Sequence, residues 1–339
     1  MAGLGGLRLA VRAYAPSPAD MDVLLTGSSG WLGRHLAPML REAEHRVIGL
    51  DVAPGPETLV VGSVADRALV ERTFADHRPE AVIHTAALHK LDIARHPRQA
   101  FVDVNVSGTL ALLEAAVAGG CSRFLFTSTT SLMISHAIRD GAGEGAAWID
   151  GGLAPLEPRN VYGVTKLAAE RLCRLIHDEH GLPVLVLRTA RFFPEDDDTH
   201  RALSGENMKA NELLHRRLTV EDAAAAHVVA LERAPALSFD TFILSAPTPF
   251  ARADAVALKQ DAAAVVARYY PDTAALYAAK GWRLPTTIDR VYDARRAERR
   301  LGWRARIDFA AVLAALRDNR PSPVAHDPAY VSPALTRTG

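Results

Sequence analysis

Six short apolar runs punctuate the first 190 residues: DVLLT (22–26), RVIGLD (46–51), TLVVG (58–62), EAVIHTA (80–86), RFLFTS (123–128) and PVLVLR (183–188). They are continuous rather than alternating apolar with polar, so each predicts a strand buried on both faces, as in a parallel sheet. Helical patterns fill the gaps, at 32–43, 66–76, 98–118 and 159–180. Strand–helix–strand repetition with right-handed crossovers gives a doubly wound α/β sheet. The chain has 339 residues, 49% of them apolar, which is long enough for such a sheet plus an appendage.

The first strand runs into TGSSGWLG (26–33). Gly27 permits a tight turn, Gly30 lets the backbone approach a pyrophosphate, and Gly33 lets the following helix pack on the strand. The helix N-terminus then offers amide donors and a positive dipole end. Ser29, Trp31 and Leu32 share this turn and count with the glycines as cofactor-binding candidates. The second strand ends at Asp51, about 20 residues on, where a carboxylate accepts both ribose hydroxyls and repels a 2′-phosphate. NAD is therefore expected over NADP, with Arg34 read as a solvated helix residue. Ser63, Val64 and Asp66 follow the third strand where an adenine would lie. Ala86 and Ala87 end the fourth strand with small side chains that leave room for a dinucleotide.

In NVYGVTKLAAERL (160–172), Tyr162 and Lys166 stand one helical turn apart on one face. A free phenol, with a pKa of about 10, is a poor base at neutral pH. A nearby ammonium stabilises the phenolate, so the pair is expected to take a proton from an alcohol or give one to a ketone. Lys166 would also reach the nicotinamide ribose. The strand RFLFTS ends in a hydroxyl cluster, Thr127 to Ser131, one member of which should hold the reacting oxygen.

These pieces resemble the extended short-chain dehydrogenases/reductases of the NAD-dependent epimerase/dehydratase family. The matching stretches are TGSSGWLG, Asp51, VIHTAA (82–87), NVSGTLALLEAA (105–116), FLFTSTT (124–130), YGVTK (162–166) and LRTARFFP (187–194). VEDAAAAHVVAL (220–231) and LGWRARIDF (301–309) match more loosely, so coverage runs from about 21 to 315. The resemblance implies Tyr162 as catalytic acid/base, Lys166 as its partner and Thr129 at the catalytic Ser/Thr position. Ser128 and Thr130 flank it as substrate contacts, and Thr127 falls on the cofactor side. Asn105 matches an asparagine carried before the family's Gly-Thr. A homodimer through helices 98–118 and 159–180 is also implied.

Departures from the family narrow the reaction. Members that dehydrate a hexose carry Asp-Glu after the catalytic Thr, where this chain has Thr130 and Ser131. Members that epimerise two carbons carry a nearby cysteine, which is missing at Ser131 and Leu132. Arg191 replaces an asparagine that nucleotide-sugar enzymes use, and residues 192–214 form a shorter lid than theirs. Arg216 and Arg290 join Arg191 as candidates for a phosphate- or carboxylate-bearing small molecule. His215, Arg217 and Arg283 lie beside them without clean registration. His89, beside Lys90 at the expected pocket mouth, is a further substrate candidate, whereas His84 reads as a core hydrogen-bonding residue. The carboxylates of PEDDD (194–198) read as a solvated loop, and no metal site is expected.

Beyond residue 190 come a helix at about 220–233, a strand DTFILSA (240–246) and short helices broken by prolines. The expected organisation is a loose extension at 1–20, a Rossmann-type NAD-binding domain at 21–190 with parts of 215–246 returning to it, a smaller, mostly helical substrate-binding cap at 191–318, and a tail at 319–339. Segment 139–156, rich in Gly and Ala, reads as a mobile loop. Equal basic and acidic counts, 39 each, argue against nucleic acid or a membrane surface. No apolar run of about 18 residues is visible, so no membrane span is expected. Cys121 and Cys173, far apart in sequence, fit a reducing, cytoplasmic setting without disulfides. The expected function is NAD-dependent hydride transfer at a secondary alcohol or ketone carbon of a sugar-like or polyol substrate, as 4-epimerase or net dehydrogenase. The alternative is a non-catalytic NAD-binding sensor of the same fold.

Overall fold

The computed structural model describes residues 20–193 and 203–324. Its strands are β1 (Asp22–Thr26), β2 (Arg46–Asp51), β3 (Val60–Val61), β4 (Ala81–His84), β5 (Arg123–Thr129), β6 (Ala147–Ile149), β7 (Val184–Thr189), β8 (Phe239–Leu244) and β9 (Arg290–Tyr292). Seven form one sheet in the order β3-β2-β1-β4-β5-β7-β8. Every pairing in it is parallel. The helices of this region are α1 (Trp31–Glu42), α2 (Arg67–His77), α3 (Arg98–Ala118) and α4 (Val161–His180). Then follow α5 (Gly205–Leu213), α6 (Val220–Leu237), α7 (Ala255–Gln260), α8 (Ala262–Tyr269), α9 (Thr273–Lys280) and α10 (Phe309–Arg317).

The continuous apolar runs are explained by two separate cores. In β1, Val23 and Leu25 join Leu36 and Leu40 of α1 and Ala226 of α6 on one face. Leu24 points the other way, into a cluster with Phe74 of α2, Leu112 of α3 and Cys173 of α4. Each fully buried Leu or Phe of this kind contributes about 1.5–3 kcal/mol. Local signals fix the helix ends. Asp66 accepts from Leu69 N at 3.0 Å and Asn160 from Gly163 N at 3.0 Å, capping α2 and α4, each cap worth about 1 kcal/mol. Gly181, at φ 69°, ends α4 in the left-handed conformation.

Helix α3 departs from the sequence expectation. Its 21 residues are long and apolar enough, by length and composition, to cross a bilayer. In this fold one side of it packs into the core, with Phe101, Leu112, Leu113 and Ala116 fully buried. A π turn at Asp103–Ser107 interrupts it and directs Asn105 inward. Segment 139–156 differs too: it contains β6, which pairs in parallel with β9 in a second, two-stranded sheet. Trp148 Nε1 also donates to Asp293 Oδ2 at 3.0 Å. A three-residue strand whose partner lies in the far half of the chain leaves no local periodicity to read. The C-terminal elements share the first core: Tyr277, Phe309 and Val312 belong to the same cluster as Leu25. PEDDD, residues 1–19 and residues 325–339 lie outside the described residues.

The order of strands reverses its direction of growth at β1, with β2 on one side and β4 on the other. Crossovers on either side of that point leave to opposite faces, which opens a crevice beyond the strands' C-terminal ends. The tips of β1, β2, β4, β5 and β7 all meet there.

Candidate active site

Where β1 turns into α1, Gly27 and Gly33 have no room for a side chain. Gly27 has φ +74°, and a Cβ on it would stand 2.6 Å from Thr85 Oγ1 and 2.8 Å from Ala86 N. A Cβ on Gly33 would stand 2.2 Å from Gly27 O, so only glycine lets α1 approach the turn. No side chain caps α1, whose N-cap is Gly30. At the tip of β2, Asp51 is fixed by two backbone amides, Ser29 N to Oδ2 at 3.0 Å and Ala53 N to Oδ1 at 2.8 Å. This is a cradle for a dinucleotide: close backbone, an open helix N-terminus and an oriented carboxylate.

One cavity of about 460 Å³ starts at this cradle, within the size range of small-molecule sites. Gly27, Gly30, Trp31, Leu32, Asp51, Ser63, Val64, Ala86, Ala87 and Thr127 line it. So do Ser128, Thr129, Thr130, His89, Tyr162, Lys166, Arg191, Arg216 and Arg290. Three residues expected at the cofactor stand behind the wall. Gly33 packs on the turn. Ser29 donates its hydroxyl to Ala53 O at 2.9 Å. Asn105 accepts from Leu88 N at 2.8 Å and donates to Leu88 O at 3.0 Å and Thr165 Oγ1 at 3.1 Å. Its role is to tie the loop after β4 to α4. Asp66 caps α2 rather than facing the cavity.

Tyr162 sits in the first turn of α4 and Lys166 one turn later, both buried. Burial raises the Tyr162 phenol above its ordinary pKa and outweighs the opposing effect of Thr129, at the tip of β5, which favours the phenolate. The expectation of an acidified phenol is therefore corrected for this state of the protein. Removing a phenolate from water costs more than one hydrogen bond returns. Lys166 Nζ lies 4.0 Å from the centre of the Phe126 ring. Burial lowers its pKa to about 7, against the opposing pull of Cys173 and Glu170. The phenol thus holds its proton across the ordinary pH range, while the lysine titrates near neutrality.

The hydroxyls on either side are already committed. Ser128 donates to Glu170 Oε1 at 2.6 Å, so the substrate contact expected of its hydroxyl is replaced by a buried internal bond. Thr127 Oγ1 bonds His227 Nε2 at 2.8 Å, and Thr130 donates to Thr189 O at 3.2 Å. Strand alternation sends Thr127 toward α6 and Ser128 toward α4. His89 packs between Tyr162 and Phe193, its ring centre 4.8 and 4.6 Å from theirs. Burial first, and then Lys90, Lys166 and Arg191, lower its pKa to about 3, so it is neutral. His84 is a core residue held by Thr26 Oγ1 at 2.8 Å and Thr109 Oγ1 at 3.0 Å.

At the far end, Arg191 and Arg216 both pair with the buried Glu212, at 3.4 and 2.8 Å, as does Arg217 at 2.7 Å. Arg139, Arg159 and Tyr292 also line the cavity and were missed in the sequence. Both arginines lie between β5 and α4, Arg139 at the end of a four-residue helix (His136–Arg139) and Arg159 just before α4, where no periodic pattern marks them. Glu170 and Glu212 were missed as well: Arg188 and Arg191 lie 18 and 21 residues from them, and only burial distinguishes the i,i+4 pair of Glu212 with Arg216 from a surface one. Among the described residues no group of three or more His, Cys, Asp or Glu could hold a metal.

A doubly wound sheet with a glycine cradle and a Tyr–Lys–Thr centre at its switch point defines a Rossmann-type protein built for a dinucleotide and a second small molecule. More narrowly, the chain belongs to the NAD dependent epimerase/dehydratase family, whose sequence pattern matches residues 23–240. UDP-glucose 4-epimerase 4 of Oryza sativa subsp. japonica is 30% identical over 203 residues, covering 54% of this chain and 52% of that protein. A dTDP-glucose 4,6-dehydratase of Streptomyces antibioticus is 28% identical over 346 residues, 88% of this chain and 93% of that one. The chain spans about half the length of the first of these curated relatives. Among solved structures, the UDP-glucose 4-epimerase of Thermotoga maritima with UDP-glucose superposes with a TM-score of 0.61 at 21% identity, covering 88% of this chain and 99% of that one. That likeness establishes the shared fold.

Proposed function

We propose that this chain is an NAD-dependent oxidoreductase acting on a secondary alcohol or ketone carbon of a sugar-like or polyol substrate. The observation that carries the reading is the convergence of Thr129, Tyr162 and Lys166 on the same cavity as the glycine turn and Asp51. Gly27, Gly30 and the start of α1 would hold the pyrophosphate, Asp51 the adenosine ribose and Lys166 the nicotinamide ribose. NAD, when bound, supplies the hydride acceptor. Tyr162, positioned by Thr129, exchanges the proton of the reacting oxygen. The small Ala86 and Ala87 leave space on the cofactor side, and the packed rings of His89, Phe193 and Tyr162 shield the reacting end from water.

Dehydration has less support. Among the described residues the cavity's carboxylates are Asp51 and Asp92, and Asp92 accepts His89 N at 2.6 Å. Neither is carried on β5, and Asp92, though near enough to Tyr162 to raise its pKa, is held by that amide. A 4-epimerase and a net dehydrogenase or reductase share the same residues and differ in whether the hydride returns. Homodimerisation through α3 and α4 belongs to this reading, supported by exposed Val102, Val164 and Leu175 on those helices. A reducing, cytoplasmic setting also belongs to it, supported by two free buried cysteines. Mass spectrometry of ligands released from the purified protein tests the proposal. Tightly held NAD supports internal redox and epimerisation, whereas exchangeable NAD with net NADH formation supports a dehydrogenase. Absence of NAD affinity overturns both.

A further inference from the structure

The cavity's arginines fall into two groups that differ in how they are neutralised. Arg191 and Arg216 share Glu212. Arg139, Arg159 and Arg290, which line the same cavity, form no ion pair among the described residues. Arg290 is only 8% exposed, and its Nε has no hydrogen-bond partner. Arg159 spends its Nε on Ile134 O at 3.1 Å. Burial comes first, and then the positive charges of Arg139 and Arg290, in lowering the Arg159 pKa, against a smaller opposing pull from Asp140 and Tyr292. Three guanidinium groups that repel one another around a cavity are costly to assemble unless something negative enters between them.

Their place in the chain says where that negative group sits. Arg159 precedes Tyr162 by three residues, and its anchor, Ile134, follows the turn that begins at Thr130. The two segments that carry the Tyr162–Thr129 pair therefore also hold Arg159. Arg290 reaches the same place from β9. We propose that Arg139, Arg159 and Arg290 form a subsite for an anionic oxygen group, a carboxylate or phosphate ester, borne on the same carbon skeleton that Tyr162 oxidises or reduces. This subsite rests on the hydride-transfer reading above. It adds that the reacting unit is itself an acid or a phosphate ester rather than a neutral sugar. A guanidinium fork matches either group bidentately, which selects for planar or tetrahedral oxyanions over hydroxyls.

Calorimetric titration of the NAD-loaded protein tests it with matched probes: UDP-glucuronate against UDP-glucose, D-glucuronate against D-glucose, and D-glucose 6-phosphate against D-glucose. The acid and phosphate arms separate the two sources of the anion. In at least one pair the anionic member should bind about 10- to 100-fold more tightly, the worth of a charge-assisted pair. Arg159→Gln and, separately, Arg290→Gln should each remove most of that preference, and Arg159→Lys should retain part of it. Two sites on different segments keep the test valid should one variant fold poorly, as thermal melts would show. Equal or tighter binding of the neutral members, no binding by any probe, or a preference that survives both Gln variants overturns the subsite. Tyr162-dependent oxidation of a neutral sugar would overturn the subsite and leave the hydride-transfer reading standing. Failure to bind NAD would overturn the reading instead.

Discussion

Single atoms decide whether the cradle works. The Cβ of alanine at position 33 would meet Gly27 O at 2.2 Å, a backbone atom that cannot turn aside. Gly33→Ala is therefore expected to lower stability by about 1–3 kcal/mol, in the manner of an overpacked core. It should also weaken NAD binding, because the turn and α1 must separate. Urea denaturation and NAD titration of the same variant check both. Glu212 is the second such point. It is buried, bonds Arg191, Arg216 and Arg217, and is held at a pKa of about 2: the three guanidiniums, led by Arg216, override the upward push of its burial. Glu212→Gln leaves those charges unmatched and should cost about 3–5 kcal/mol, read from the shift in denaturation midpoint.

At the scale of elements, α4 is registered on β7 by a buried ion pair and on β5 by a hydrogen bond to the same carboxylate. Glu170, one turn beyond Lys166, accepts Arg188 Nε at 2.9 Å and Nη2 at 2.7 Å, together with the Ser128 hydroxyl. Helix, β5 and β7 are thus locked within two residues of Thr129, and the phenol is set against the strand tip as a consequence. The negative charge of Glu170 also favours the ammonium of Lys166. Removing it in Glu170→Gln should lower the Lys166 pKa further. The limb of the pH–rate profile that reports on that group should move to lower pH, while Cys173, the other neighbour on α4, is unchanged. A profile that does not move would assign Glu170 to packing alone. Asn105 performs the parallel task for the loop after β4, and the π turn in α3 is what points it inward.

The whole molecule buries neutral histidines on both sides of the sheet. Burial holds His89 and His215 at a pKa of about 3 and His227 at about 4, against an ordinary value near 6.5. Below about pH 6.5 the unfolded chain binds protons that the folded chain refuses. Stability therefore falls with acidification by up to about 1.4 kcal/mol per pH unit for each histidine, until the folded values are reached. Glu212 works in the same direction between its ordinary value and about 2. Urea midpoints measured from neutral pH downward should decline steadily, and a flat profile down to about pH 4.5 would contradict this.

Much of this fold was legible because its signals are local. Continuous apolar runs located the strands of the main sheet, and TGSSGWLG, Asp51 and the Tyr162–Lys166 spacing marked one cavity. What escaped depends on distant pairing or burial: the β6–β9 sheet, Arg139 and Arg159, the Glu170 and Glu212 networks, and the direction of the Tyr162 shift. A helical spacing places two side chains together but carries no information on how much water surrounds them.

The central claim is that Tyr162 exchanges the substrate's proton while hydride moves to or from bound NAD. Single-turnover absorbance of the reduced nicotinamide, with an alcohol or ketone that the protein binds, measures it directly in the wild type and in Tyr162→Phe. The account predicts a rate lower by about 10²- to 10⁴-fold in the variant, the usual worth of a positioned acid/base, with NAD affinity retained. Equal rates in the two proteins would contradict it.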